Sequence, residues 1–164
     1  QAFQRLEQMF LLQGLQFLGH QIMKKPSKVF VKKFLSLFFI LSFSLSLSAL
    51  EATFEGKSIV LNLTVANTDS LRRKGLMHVR KLDKNNGMIF IWPTSTQHCM
   101  WMKNTPLPLS IAYLSKDGSI LEIYDMVPLS EKSVCSLKKA RMAVEVNQGW
   151  FKTNQIIVGD KINF

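Results

Sequence analysis

Hydrophobic and polar residues alternate with a period of two along much of the chain after Leu50, which predicts strands rather than helices. Residues 58–66 are rich in β-branched side chains and predict a first strand. Residues 140–147 show the pattern again, with methionine and valines on one face and Glu145 on the other. A sheet with two distinct faces is therefore expected.

Turn and capping residues divide the rest of the chain into short elements. A capping triplet at 67–69 begins a short helix at 70–74, and Gly75 ends it. The further predicted elements are a tight turn at Asn86-Gly87, strands at 87–92 and 97–103 around a turn at 93–96, a hairpin of 110–115 and 119–127 around a turn at 116–118, a loop at 129–137, a helical turn at 150–154, and a strand, turn and strand at 156–162.

These elements amount to about seven short strands and one or two short helices. They show neither an alternation of strand and helix nor an internal repeat, which argues against a parallel α/β sheet. The expected fold class is α+β and β-rich, a compact small barrel-like domain.

The apolar residues before Leu50 follow a different pattern. Residues 23–49 consist of a basic segment, an apolar run at 34–47 and small residues at Ser48 and Ala49, the order of a secretory signal peptide. The run is 14 residues long, whereas a membrane span takes roughly 20, so cleavage near Ser48 or Ala49 is favoured over an uncleaved anchor. Residues 1–22, before Met23, are interpreted as an upstream extension outside the fold, with a helix on the membrane surface as the alternative.

This division places a single globular domain at residues 50–164 and predicts that the protein is periplasmic or secreted. It also divides the net charge. Residues 1–49 carry six bases and one acid and residues 50–164 carry fifteen bases and ten acids, so the total of +10 splits into +5 and +5. The bases of the domain form local clusters at 72–74, 80–81 and 138–141 without a nucleic-acid motif.

The domain's charge therefore favours a solvated basic surface and no nucleic-acid partner, and attraction to an anionic envelope polymer stays open. Membrane contact is expected only through the signal segment, and the domain is expected to be a monomer. Two cysteines, Cys99 and Cys135, would meet an oxidising compartment after export. Sequence leaves open whether they form one disulfide or remain two buried thiols.

Several short runs together form a pattern typical of one protein family. They are Gly75-Leu76-Met77 with Arg80, Gly87-Met88-Ile89-Phe90, Trp101-Met102-Lys103-Asn104-Thr105 with Pro108-Leu109, Glu145-Val146-Asn147 with Gly149, and Gly159-Asp160. Over about residues 59–164 the chain resembles the family called domain of unknown function 192. The resemblance implies a small β-barrel-like α+β domain, commonly exported, without an assigned activity.

The chain departs from the family pattern at two positions. Ser110 stands where many relatives have aspartate, and Met100 stands where an aromatic residue is frequent. Four polar positions of the pattern, Arg80, Lys103, Asn104 and Glu145, suit a polar or anionic ligand such as an envelope polymer or carbohydrate. Arg80 and Lys103 would hold anionic groups, Asn104 would orient a carbonyl or hydroxyl, and Glu145 would position Arg80 or accept from the ligand.

A structural role is the first alternative, with Arg80 and Glu145 as a fold-closing ion pair. A hydrolase-type enzyme using Glu145 is the second; it would need Glu145 or His78 as base and Cys99 or a serine as nucleophile, but no triad spacing is present. Methionines with His98 and Cys99 could bind copper(I), but their strand spacing favours a core role. We therefore expect no catalytic residue, metal or cofactor, and a binding or accessory module rather than an enzyme or a purely structural, protein-partner domain.

Overall fold

The structure is a computed structural model that describes residues 49–164. The interpretations of residues 1–22 as an upstream extension and of most of 23–49 as a signal peptide lie outside the described residues. Within 49–164, no helix is long and apolar enough to cross a membrane.

Nine strands and two short helices make up the described part of the chain. They are β1 (Ala49–Phe54), β2 (Lys57–Ala66), α1 (Asp69–Lys74), β3 (Asn86–Thr96), β4 (Cys99–Met100), β5 (Leu109–Leu114), β6 (Ile120–Met126), β7 (Val134–Cys135), β8 (Ala140–Asn147), α2 (Trp150–Thr153) and β9 (Ile162–Asn163).

Seven of the strands form one sheet in the order β6-β5-β8-β3-β2-β1-β9, and β4 pairs separately with β7. Only the β2–β3 pair is parallel among these ladders. A bridge between Ser119 and Lys161 joins the β6 end of the sheet to the β9 end, and the Ile120 amide donates to the Asp160 carbonyl at 2.8 Å. The sheet therefore curls into a half-barrel, which confirms the expected β-rich α+β fold with two short helices.

The two faces of the sheet carry separate hydrophobic clusters. On one face, Leu63, Ile89 and Val144 pack with Trp150 and Phe151 of α2. On the other face, residues of β3, β5 and β8 pack with side chains from the segments after α1 and β4; they include Phe90, Ile111, Ala143, Leu76 and Met102. The alternation predicted for 140–147 is confirmed, because its valines lie in the first cluster and Glu145 points to the opposite side.

Gly87 allows β3 to approach its neighbours closely. A Cβ atom at this position would lie 2.5 Å from the carbonyl oxygen of Glu145 on β8 and 3.0 Å from a methyl carbon of Leu63 on β2. Such contacts are too short for any side chain, so glycine is required here. The close approach fixes the backbone of Glu145 against the middle of the sheet.

Several predicted details around β3 were wrong. The chain does not turn at 93–96; β3 continues through Pro93 to Thr96, and the predicted strand 97–103 shrinks to Cys99–Met100 paired with β7. Pro93 lacks an amide donor, so the ladder with β8 is interrupted between Ile91 and Thr96 while the backbone stays extended. The predicted Asn-Gly turn lies earlier, where the Asn86 amide donates to the Asp83 carbonyl at 3.0 Å.

The two ends of the domain also differ from the prediction. β1 was not anticipated; Ala49 was assigned to the signal segment, and no element was predicted for residues 50–57. At 156–162 only Ile162 lies in a strand. The Asp160 carboxylate accepts from the Ile157 amide at 2.9 Å, and this side-chain bond competes with strand pairing.

Candidate functional site

A pocket of about 280 Å³ lies between α1, β3, β8 and the segment after β4. Part of its lining consists of aromatic and sulfur-containing side chains, namely Phe90 and Trp92 of β3 and Met100, Trp101 and Met102. Charged residues of α1 line it as well, so its accessible surface is more polar than apolar.

Glu145 supplies the polar group at the buried end of this pocket. It lies on β8 between Met88 of β3 and Ile111 of β5, and only 3% of its surface is exposed. Within residues 49–164 its side chain makes neither a hydrogen bond nor a salt bridge. Because the charged form loses its hydration there, burial raises the pKa of Glu145 to about 8. The carboxyl group is therefore mostly protonated at pH 7.

Helix α1 supplies the charged side of the pocket. Thr68 caps it by accepting from the Leu71 amide at 3.3 Å, and Gly75 ends it with a φ of 46°. Bases in the last turn suit the negative end of the helix dipole. The local sequence thereby places three cationic side chains, Arg72, Arg73 and Lys74, along one wall of the pocket.

These three cations are not equivalent. Arg72 is held by a salt bridge to Asp69 and by donation to the Ile91 carbonyl at 2.6 Å. Arg73 and Lys74 are exposed and form no salt bridge with any residue of 49–164. Among residues 49–164, the pocket therefore has an acid without a partner at its buried end and two cations without salt bridges at its exposed end.

Of the four predicted site residues, only Glu145 lines the pocket. Arg80 is exposed on the segment after α1 and forms no salt bridge with Glu145. Lys103 lies 3.6 Å from the Glu131 carboxylate and 5.2 Å from the ring centroid of Trp101. The structure does not bring these groups together around one ligand, so their joint role as a site stays a prediction.

Asn104, the fourth predicted residue, has a backbone role in the structure. Its φ of 55° is left-handed, a conformation that asparagine tolerates better than most residues. Its carbonyl accepts from the His78 amide at 2.8 Å, and the Thr105 amide donates to the Met102 carbonyl at 2.9 Å. The Trp-Met-Lys-Asn-Thr run is therefore a corner that directs Trp101, Met102 and Thr105 into the pocket.

A disulfide joins Cys99 of β4 to Cys135 of β7. Cys99 also lines the pocket, so the bond anchors this wall to the opposite strand. As half of a disulfide, Cys99 offers no thiol nucleophile. His98 stacks on Trp92 with ring centroids 3.8 Å apart, and burial lowers the pKa of His98.

Ser110, at the position where aspartate is frequent in relatives, is buried at the start of β5. Its hydroxyl donates to the Asp125 carboxylate and accepts from the Gly149 amide at 2.9 Å. The residue therefore ties strands together outside the pocket. In residues 49–164, no group of three or more His, Cys, Asp or Glu side chains is arranged to hold a metal ion.

The fold and the site define a small half-barrel domain with a pocket that is lined by Glu145, aromatic side chains and the charged residues of α1. The sequence model of DUF192, described as an uncharacterized ACR, matches residues 50–164, and the chain belongs to this family. No curated protein matches the chain.

Two solved structures share the fold. A protein from Sinorhizobium meliloti 1021, provisionally described as a transcription regulator, is 30% identical with a TM-score of 0.70, over 73% of this chain and 96% of that one. A protein of unknown function from Novosphingobium aromaticivorans DSM 12444 is 28% identical with a TM-score of 0.69, over 74% of this chain and 89% of that one.

Proposed function

We propose that the protein is an exported binding module that holds a small polar, anionic ligand in the pocket above Glu145. The observation that carries this proposal is the buried carboxyl group, which faces a pocket and has no partner in residues 49–164. Buried polar groups that serve only the fold are nearly always hydrogen-bonded. Because the Glu145 carboxyl faces the pocket and is not sealed from it, a ligand or water in the pocket is the remaining source of a partner.

The exposed end of the pocket supports an anionic ligand. Arg73 and Lys74 lack carboxylate partners among the described residues, and arginine and lysine are the usual binders of carboxylate and phosphate groups. The volume of 280 Å³ lies just below the roughly 300–1,000 Å³ of drug-sized sites. The ligand is therefore small, such as an acidic sugar or a fragment of an envelope polymer.

Two features support export. The signal-like segment at 23–49 precedes the domain. The Cys99–Cys135 disulfide suits an oxidising compartment, because cytosolic thiols are normally kept reduced. The proposed location is the periplasm or the medium outside the cell.

A hydrolase that uses Glu145 is the rival proposal, because an acid with a raised pKa in a pocket can act as a general acid. That chemistry also needs a nucleophile or a base nearby. Cys99 is oxidised, and His78 is exposed and does not line the pocket. Binding therefore accounts for the site with fewer requirements.

The test is a thermal-shift and calorimetry screen of the purified protein with inorganic phosphate, glucuronate and glucose 6-phosphate. A ligand that binds the folded state raises the unfolding temperature by mass action. We expect the shift to vanish in the double variant Arg73→Gln/Lys74→Gln. The charge-matched control Lys116→Gln/Lys132→Gln, which changes two exposed lysines away from the pocket, should keep it.

The proposal fails if none of the anions shifts the unfolding temperature, or if the pocket and control variants lose the shift equally. Turnover of a glycosidic or ester substrate that is abolished by Glu145→Gln would instead favour the hydrolase.

A further inference from the structure

We propose that the ligand of this pocket is a small zwitterion, whose ammonium group binds Glu145 and whose carboxylate or phosphate group binds Arg73 and Lys74. This inference rests on the proposed function and specifies the ligand class.

Glu145 lacks, among residues 49–164, the donors and the opposite charge that a buried carboxylate needs. A carboxylate out of water is stable only when charge and hydrogen bonds compensate it. A neutral hydroxyl supplies one hydrogen bond, whereas an ammonium group supplies several charge-assisted bonds that are roughly twice as strong. A cation is thus the group that matches this unpartnered acid best.

The lining of the pocket offers aromatic rings to a cation. Phe90, Trp92 and Trp101 line the pocket, and aromatic faces attract cations within about 6 Å of the ring centroid. Aromatic rings are therefore present in the lining of the pocket for a cation that enters beside Glu145.

The exposed end of the pocket carries positive charge, opposite to that of an ionised Glu145. A simple cation would be repelled by Arg73 and Lys74. A simple anion could accept a hydrogen bond from the protonated Glu145 carboxyl, but it would leave the ionised carboxylate without a counter-charge. A ligand with both charges is complementary to both ends of the pocket once Glu145 ionises, and such complementarity gives specificity.

Binding of this kind releases a proton. The ionisable groups on the elements around Glu145 are Tyr113 of β5 and four residues of α1, namely Asp69, Arg72, Arg73 and Lys74. Tyr113 stays neutral at pH 7, because burial and then the charge of Glu145 raise its pKa. Glu145, with its pKa raised to about 8, is the group that gives its proton to the solvent when the ammonium arrives.

The test is titration calorimetry of the full-length protein with matched pairs of probes. 4-Aminobutanoate, 6-aminohexanoate and phosphoethanolamine are compared with butanoate, hexanoate and ethyl phosphate, which lack the amine. We expect an amino compound to bind at least tenfold more tightly than its partner. For the two aminocarboxylates, whose own groups do not titrate between pH 6 and pH 7, close to one proton should be released per ligand at pH 7 in buffers of different ionisation enthalpy, and affinity should rise about tenfold from pH 6 to pH 7. The phosphate probes have a pKa of about 6 themselves, so they serve only to compare binding with and without the amine.

Glu145→Gln should remove both the preference for the amine and the proton release while the anions still bind. Arg73→Gln/Lys74→Gln should weaken both members of each pair. Stronger binding in the carboxylate or the phosphate series supports the inference and identifies the anionic group. Because proton release is measured on the unaltered protein, the test stands even if Glu145→Gln does not fold.

Equal binding of amino and amine-free anions would overturn the zwitterion while leaving anion binding in place. Binding without proton release, or with release that persists in Glu145→Gln, would also overturn it. Failure of every probe to bind would remove the proposed function together with this inference.

Discussion

Glu122 and Glu145 are buried on the same face of one sheet, yet their carboxylates have opposite surroundings. Glu122, on β6, lies opposite Tyr113 of β5. Its carboxylate accepts hydrogen bonds from the Tyr124 hydroxyl at 2.6 Å and from the Leu137 and Lys138 amides at 2.9 and 2.7 Å. Glu145 accepts from no residue of 49–164. Burial alone would raise the pKa of Glu122, but these hydrogen bonds hold it below its usual range, whereas burial raises the pKa of Glu145 to about 8.

The comparison separates a structural carboxylate from a candidate functional one. Glu122 ties residues 137 and 138 to the sheet, so its three hydrogen bonds serve the fold. Glu145 is 3% exposed, and its carboxyl faces the pocket where Glu122 faces hydrogen-bond donors. Burial in this sheet is therefore compatible with a fully hydrogen-bonded carboxylate, and it is the pocket that leaves Glu145 without donors among residues 49–164.

Glu145→Gln should change how stability depends on pH. Below pH 4.5 the residue is protonated in the folded and unfolded chains alike. Between 4.5 and about 8 only the unfolded chain ionises, so the folded state binds more protons and the free energy of unfolding falls as pH rises. The wild type should lose up to about 1.4 kcal/mol per pH unit relative to the glutamine variant, levelling off above pH 8. Urea unfolding of both proteins from pH 5 to pH 9 measures this difference.

Glu122→Gln is the matched control, because the wild-type Glu122 carboxylate is also buried but is fully hydrogen-bonded. This variant should be less stable at pH 7 by about 1–3 kcal/mol, since a charge-assisted acceptor is lost. The difference in free energy of unfolding between this variant and the wild type should disappear as pH falls through the lowered pKa of Glu122. Parallel pH profiles for wild type and Glu145→Gln would contradict the assignment of a raised pKa to Glu145.

Local patterns were sufficient to predict much of the fold. The alternation in 140–147, the turn at 116–118 and the Thr68 and Gly75 caps each depend on neighbouring residues, and each appears in the structure. The errors arose where distant strands decide the outcome. Pro93 marks a turn in isolation, but pairing with β8 on either side keeps the chain extended, and no local pattern reveals that partner.

The site was predictable only in part, for a related reason. Glu145 was chosen as a polar position of the family pattern, and the period of two along its strand fixes the direction of its side chain. Lys103 and Asn104 were chosen for their polarity, but they lie in a loop, where no strand period sets the direction of a side chain. Trp101 and Met102 line the pocket instead. The 72–74 cluster was interpreted as solvated surface, and its one distinguishing signal was its position beside the Gly75-Leu76-Met77 run.

Asn104 should prove replaceable by glycine but not by alanine. Its φ of 55° is left-handed, where alanine is disfavoured by roughly 1–2 kcal/mol and glycine is not. Thermal unfolding should show a clear loss for Asn104→Ala and little change for Asn104→Gly, with anion binding kept in both folded variants. If Asn104→Gly remains stable yet no longer binds any anion, the side chain takes part in binding and the backbone role is insufficient.

Loss of the Cys99–Cys135 disulfide should destabilise the domain and loosen one wall of the pocket. The bond closes a loop with a sequence separation of 36 residues, and loop-closure entropy for that length corresponds to about 3–4 kcal/mol. The double variant Cys99→Ser/Cys135→Ser should therefore unfold at lower urea concentration than the oxidised protein. Dithiothreitol should lower the midpoint of the wild type to that of the variant and leave the variant unchanged. Because the loop includes Trp101, Met102 and Thr105, reduction should also weaken ligand binding. A wild-type midpoint that does not respond to reductant, with free thiols shown by labelling, would mean that the bond contributes nothing to stability.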